Sequence, residues 1–243
     1  MAMLKDKVCV ITAAAGTGIG FACAQRFQQE GARVLLSDRH PRRTQEAAER
    51  LGVPWAICDV TDQAQVDALF EKALAEFGRV DVLVNNAGLG GTNTVIDMPD
   101  EAWHRVLDVT LTGTMRCTRA ALKIMTAQGH GVIVNNASVL GWRAQKGQSH
   151  YAAAKAGVMA LTRCSAVEVA EQGVRINAVA PSLAMHAFLH KVTTPELLNE
   201  LKSREAMKRA ATPEEIANVM LFLASDLSSY MTGEVVSVSS QRA

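Results

Sequence analysis

The chain has 243 residues, of which 49% are hydrophobic and 20% charged, and a formal net charge of +1. These are values of a globular chain, and so even a balance supplies no broad field to draw in nucleic acid or an anionic membrane surface. Lys5, Asp6 and Lys7 precede a short apolar run, so neither a signal peptide nor a membrane span is expected, and the setting expected is cytoplasmic. Cys9, Cys23, Cys58, Cys117 and Cys164 are odd in number, far apart and without a Cys-x-x-Cys pair. They read as buried free thiols, with no disulfide and no metal site expected.

In chain order, the apolar run Val8 to Ile11 empties into the stretch TAAAGTGIG from Thr12 to Gly20. A helical period follows from Phe21 to Gln29. Such a glycine-rich turn lets backbone approach a pyrophosphate, whose charge the free N–H groups at the helix start stabilise. Gly16, Thr17, Gly18, Ile19 and Gly20 are the candidate contacts. A second apolar run, Arg33 to Leu36, leads to Asp38, 20 residues after Gly18. An acid there accepts hydrogen bonds from the adenosine ribose and repels a 2′-phosphate, which favours NAD over NADP. Arg39 argues the other way, because a guanidinium pairs well with a 2′-phosphate.

Helical segments at Arg43 to Leu51 and Gln63 to Phe77 flank Asp59 and Val60, and the run Val80 to Val84 then ends in Asn85, Asn86, Ala87 and Gly88. A long helical pattern from Glu101 to Ala127 carries Thr110. Gly131 to Asn135 is the next strand, with Ser138 just past its end. In the helix Ala152 to Glu171, entered at Tyr151, the four-residue spacing puts Tyr151 and Lys155 on one face. Val174 to Val179, the helix Pro213 to Ala224 and Glu234 to Val238 complete the pattern. This alternation predicts an α/β fold, a single Rossmann-type domain over 1–243 with a doubly wound parallel sheet and helices on both faces. The segment from Pro181 to Thr212 lacks a clear strand and reads as functional, with residues 183–212 as a substrate lid.

These residues resemble the short-chain dehydrogenase/reductase family. Its loop, T-G-x-x-x-G-x-G, aligned on Gly18 and Gly20, puts Ala13 and Ala14 at the Thr and Gly positions, which alanine tolerates where φ is negative. Asp59 with Val60 resembles the family's adenine contact, and Asn85 to Gly88 its N-N-A-G motif. Ser138, Tyr151 and Lys155 match its Ser and Tyr-x-x-x-Lys. The resemblance implies that Tyr151 is the acid/base, Lys155 lowers the phenol and holds the nicotinamide ribose, and Ser138 orients the substrate oxygen. Bringing a phenol from about 10 to about 7 requires roughly 4 kcal/mol, which a cation about 4 Å away supplies at an effective dielectric of about 20. Thr110 replaces the relay asparagine and is expected to serve a modified relay. Pro181 is kept, Ser182 and His186 are changed, and Leu183 is expected to offer backbone contacts to the carboxamide.

The stretches from Asn135 to Gln145 and Gln148 to Ser165 resemble, more narrowly, a bacterial branch acting in steroid CD-ring breakdown. That branch oxidises a ring hydroxyl of a hydrindane-type coenzyme A thioester. Ser138, Leu140, Trp142, His150, Ser182 and Met185 are the candidate substrate pocket, His150 as helix surface or pocket rim. Phe188, Leu189, Leu197, Leu198 and Leu201 are the expected apolar lid, and Lys191, Lys202, Arg204, Lys208 and Arg209 make the segment basic. A 3-oxoacyl-thioester (ACP or CoA) reductase is the alternative enzyme, and a non-catalytic nucleotide-binding regulator the alternative of another class. The resemblance also implies a homotetramer through the helices at Glu101 to Ala127 and Ala152 to Glu171, and a small-molecule substrate.

Overall fold

The structure is a computed structural model, and it describes residues 2–185 and 194–240. His186, Phe188, Leu189 and Lys191 lie outside the described residues. Seven strands form one parallel sheet in the order β3-β2-β1-β4-β5-β6-β7. They are β1 (Val8–Ile11), β2 (Arg33–Asp38), β3 (Trp55–Ile57), β4 (Val82–Asn85), β5 (Gly131–Asn136), β6 (Val174–Pro181) and β7 (Val235–Val238). The described helices are α1 (Ile19–Gln29), α2 (Pro41–Leu51), α3 (Gln63–Phe77), α4 (Asp100–Leu107), α5 (Gly113–Gln128), α6 (Ser149–Val169), α7 (Pro195–Arg204) and α8 (Pro213–Ala224).

Strand register explains why both faces of the sheet are apolar. Side chains alternate along a strand, and the row Leu35, Val10, Leu83, Ile133 and Ile176 runs straight across five strands. That row faces α3, α5 and α6 through residues such as Leu69, Phe70, Cys117 and Met125. The alternate row, with Leu36, Ile11, Val84 and Val134, meets Phe27 of α1 and Met220 of α8 in the other core. β1 and β4 at the centre are therefore continuous buried runs, as a doubly covered parallel sheet requires.

Three details differ from the sequence reading. Trp55–Ile57 is a strand that the pattern does not announce, because it is three half-buried residues at the sheet edge. The pattern from Glu101 to Ala127 is two helices joined through a five-residue π-helical stretch, Asp108–Thr112, that holds Thr110. Cys164 is exposed, whereas the other four thiols are buried. The segment 181–212 contains α7 and a parallel bridge between Ala184 and Ala211.

Candidate active site

The C-terminal edge of the sheet opens into a cavity of about 600 Å³ whose lining includes Ala13, Gly16 to Gly20, Asp38, Asp59, Val60 and Asn86 to Gly88. Gly16 has φ +118, a conformation open to glycine. At Gly20 an added Cβ would stand 2.6 Å from the Ala13 carbonyl oxygen and 2.5 Å from Asn86 Nδ2. The loop is thus pressed against its neighbours, and Gly18 is the N-cap of α1 with no side chain over the first N–H groups. A cradle with bare helix N–H groups and an acid at the end of β2 fits a dinucleotide.

Asp38 is buried, and its carboxylate accepts the Ala15 N–H at 3.3 Å and the His40 N–H at 3.1 Å. Arg39, His40 and Arg43 line the same cavity. Asp59 accepts from the backbone and hydroxyl of Thr61, while Asp62 caps α3. Ala13 departs from expectation with φ +50, a left-handed conformation for a residue bearing a Cβ. The reason is visible one residue earlier. Thr12 Oγ1 receives the N–H groups of Asn86 at 3.0 Å and Ala87 at 3.2 Å. The hydroxyl at the end of β1 therefore holds the Asn-Asn-Ala-Gly turn, and Ala13 bends the chain to enter the glycines.

Ser138, Tyr151 and Lys155 come together beside this cavity. Ser138 ends the turn after β5 and its Oγ accepts the Leu140 N–H at 3.2 Å and is hydrogen-bonded to Tyr151. The Lys155 ammonium lies 5.6 Å from the centre of the Tyr151 ring and donates to the Asn136 carbonyl. A Cβ added at Gly88 would stand 3.4 Å from Lys155 Nζ and 3.9 Å from the Thr110 methyl. Burial pushes the Tyr151 phenol up, a trend the Ser138 hydrogen bond opposes. This differs from the lowered phenol expected from the sequence, because desolvation by burial outweighs the Ser138 hydrogen bond. Burial also lowers Lys155 to about 8.

Thr110 is fully buried, and its hydroxyl accepts the Leu89 N–H at 3.0 Å and donates to the Leu89 carbonyl at 3.3 Å. It clamps the Leu89 backbone just past the Asn-Asn-Ala-Gly turn. Leu183 uses its N–H on Glu205 and its carbonyl on Ala211, and Ser182 N–H bonds the Val238 carbonyl across from Pro181. Met185 donates to the Ala211 carbonyl. Leu140 is half-buried. Trp142 is 52% exposed, so it is no core residue. His150 is 1% exposed with neither ring nitrogen partnered, which replaces the expected helix surface or pocket rim by a buried site under Gly91. In α7, Leu198 is buried and Leu197 exposed. Arg204 pairs with Glu200 and Arg209 with Glu215, so much of the segment's basic charge is neutralised.

The sequence reading missed Thr12 and Asn136. The first is signalled by a hydroxyl ending a fully apolar strand, the second by a doubled asparagine at the end of β5. A second cavity, about 660 Å³, opens at the opposite edge of the sheet beside Asp81, His130 and Arg175. Asp81 and His130 are engaged with each other there and Arg175 with backbone carbonyls, and no candidate catalytic residue reaches it.

A family model described as enoyl-(acyl carrier protein) reductase matches residues 13–240. A Mycobacterium tuberculosis protein, (5R,7aS)-5-hydroxy-7a-methyl-1-oxo-2,3,5,6,7,7a-hexahydro-1H-indene-carboxyl-CoA reductase, is 61% identical over 98% of this chain and 94% of its own length. The 3-oxoacyl-(acyl-carrier-protein) reductase of Thermotoga maritima is 41% identical over 97% of both. A crystal structure of a short chain dehydrogenase from Mycobacterium smegmatis superposes with a TM-score of 0.89 at 57% identity, covering 100% of this chain and 95% of that one. With the parallel sheet and the nucleotide cavity at its C-terminal edge, these likenesses identify an oxidoreductase that uses a nicotinamide nucleotide, and the chain belongs to the short-chain dehydrogenase/reductase family.

Proposed function

We propose that the protein is a cytoplasmic NAD-dependent dehydrogenase that oxidises a ring hydroxyl of a steroid-derived coenzyme A thioester to the ketone. The observation that carries the reaction is the meeting of Ser138, Tyr151 and Lys155 beside a dinucleotide cavity. The 61% identity to a hydroxy-indene-carboxyl-CoA reductase supports the substrate class. Asp38, buried at the end of β2, supports NAD over NADP.

In this reading the bound nicotinamide supplies the hydride acceptor. The Ser138 hydroxyl orients the carbinol oxygen, and Tyr151 Oη takes its proton. The ammonium of Lys155, 5.6 Å from the centre of the Tyr151 ring, favours the phenolate as a nearby opposite charge. Gly16 to Gly20 hold the pyrophosphate, with Asp59, Val60 and Asn86 to Gly88 along the adenine and ribose. Leu140, Trp142 and Met185 line the substrate side. A homotetramer through α5 and α6 belongs to the same reading, supported by Val167 of α6 at 80% exposure, and light scattering tests it.

The 41% identity to a 3-oxoacyl-thioester reductase favours a second reading, reduction of a straight-chain 3-oxoacyl thioester. The experiment follows reduced nicotinamide with NAD and NADP separately on a hydroxylated hydrindane thioester and a straight-chain 3-hydroxyacyl thioester. NAD-dependent oxidation of the ring substrate, falling about 10²–10⁴-fold in Tyr151→Phe with nucleotide affinity retained, is the expected result. A preference for the straight chain with NADP overturns both the substrate and the reading of Asp38. Nucleotide binding with no turnover on any alcohol supports a binding protein instead.

A further inference from the structure

A chain of amides joins the nucleotide loop to the lysine. Asn86 Nδ2 donates to the carbonyls of Thr12 at 3.2 Å and Ala13 at 3.0 Å. Its Oδ1 accepts from Asn136 Nδ2 at 3.0 Å, and the Asn136 backbone carbonyl takes the Lys155 ammonium. The two amide orientations are forced. Carbonyls accept only N–H, so Asn86 must turn its nitrogen to the loop and its oxygen to the nitrogen of Asn136. That leaves Asn136 Oδ1 buried without a donor.

Folding alone does not ask for asparagine here. Residue 136 follows Val132 and Val134 on one face of β5, the face where Val134 packs in the core with α1 and α8. An apolar side chain would continue that face, whereas a buried carbonyl oxygen with no donor costs about 1–3 kcal/mol. The amide earns its place by what it connects.

We propose that Asn136 is a positioning residue of the hydride-transfer site, fixing the Lys155 ammonium to the nucleotide loop through Asn86. The inference rests on the dehydrogenase reading above. Thr110 does not do this, because its hydroxyl is committed to Leu89. Among the described residues set against the ammonium, Asn136 of β5, Gly88 of the β4 turn and Tyr151 of its own helix, only Tyr151 titrates. Asn136 thus ties the charge that acts on Tyr151 to the loop that grips the nucleotide.

The test compares wild type, Asn136→Leu, Asn86→Ala and the double variant in two measurements. The first is the NAD dissociation constant by fluorescence titration, which needs no alcohol substrate and so stands even if the substrate assignment fails. Asn136→Leu is expected to weaken NAD about tenfold, and the double variant to be no weaker than Asn86→Ala alone. The second is the pH profile of kcat/KM on any alcohol turned over, whose acid limb is expected to move up by about one pH unit in Asn136→Leu. A fall in Tm with both the dissociation constant and the acid limb unmoved overturns the proposal, as does full additivity of the two substitutions. If the leucine variant does not fold, Asn136→Ser removes the same amide in a smaller volume and is read in the same way.

Discussion

Ala13 and Lys155 carry the consequences that belong to single residues. A Cβ at φ +50 strains the backbone, and Ala13→Gly relieves it at the expense of a freer unfolded chain. A net gain of about 0.5–1 kcal/mol is expected in urea unfolding, and a loss of stability would show that Ala13 is unstrained. Lys155, lowered to about 8 by burial, is charged below that pH and neutral above it. The kcat/KM for NAD, which reports the free enzyme, should therefore fall on the alkaline side near pH 8. In Lys155→Arg that limb should vanish up to about pH 10, since a guanidinium stays charged. Much of this site was legible in the sequence: Ser138, Tyr151 and Lys155 have fixed spacings, and so do the loop glycines and Asp38. Thr12, Asn136 and the buried state of His150 were not, because their partners are 19 to 75 residues away or absent altogether, and the hydroxyl closing β1 and the doubled asparagine closing β5 do not say what they bond.

At the scale of elements, the six longer strands announced themselves because a parallel sheet covered on both faces demands unbroken apolar runs. Trp55–Ile57 did not, being short and half-buried at the edge. The split of the helix around Thr110 was also hidden, since the five π-helical residues lie directly between two ordinary helical stretches with no Gly or Pro break ahead of them. That turn seats Thr110 against Leu89, just past the Asn-Asn-Ala-Gly motif. Thr110→Val keeps the volume and deletes both hydrogen bonds. A loss of about 1–2 kcal/mol is expected, together with faster amide exchange at Leu89. Unchanged exchange there would mean that the clamp contributes nothing to holding the loop.

For the molecule as a whole, the edge of the sheet opposite the active site holds a buried carboxylate that contributes to the response to acid. Asp81 is 3% exposed there and receives the Val8 N–H at 2.8 Å, the Arg79 guanidinium and His130 Nε2 at 3.0 Å. One carboxylate thereby joins the start of β1 to the approaches of β4 and β5. Burial alone would push its pKa up, yet the Val8 N–H, then Arg79, then His130 more than offset it, and the net shift is downward. A carboxyl whose folded pKa is depressed adds stability that is complete above its unfolded value, near 3.9, and is lost as pH falls through the folded value. Asp81→Asn should accordingly cost about 1.5–3 kcal/mol at pH 7, and the gap from wild type should narrow as pH drops from about 5 towards 3. Urea unfolding of both proteins across that range measures it. A gap that stays constant with pH would assign the cost of the variant to shape and packing, and would remove the buried charge from the account of how the three strands are held together.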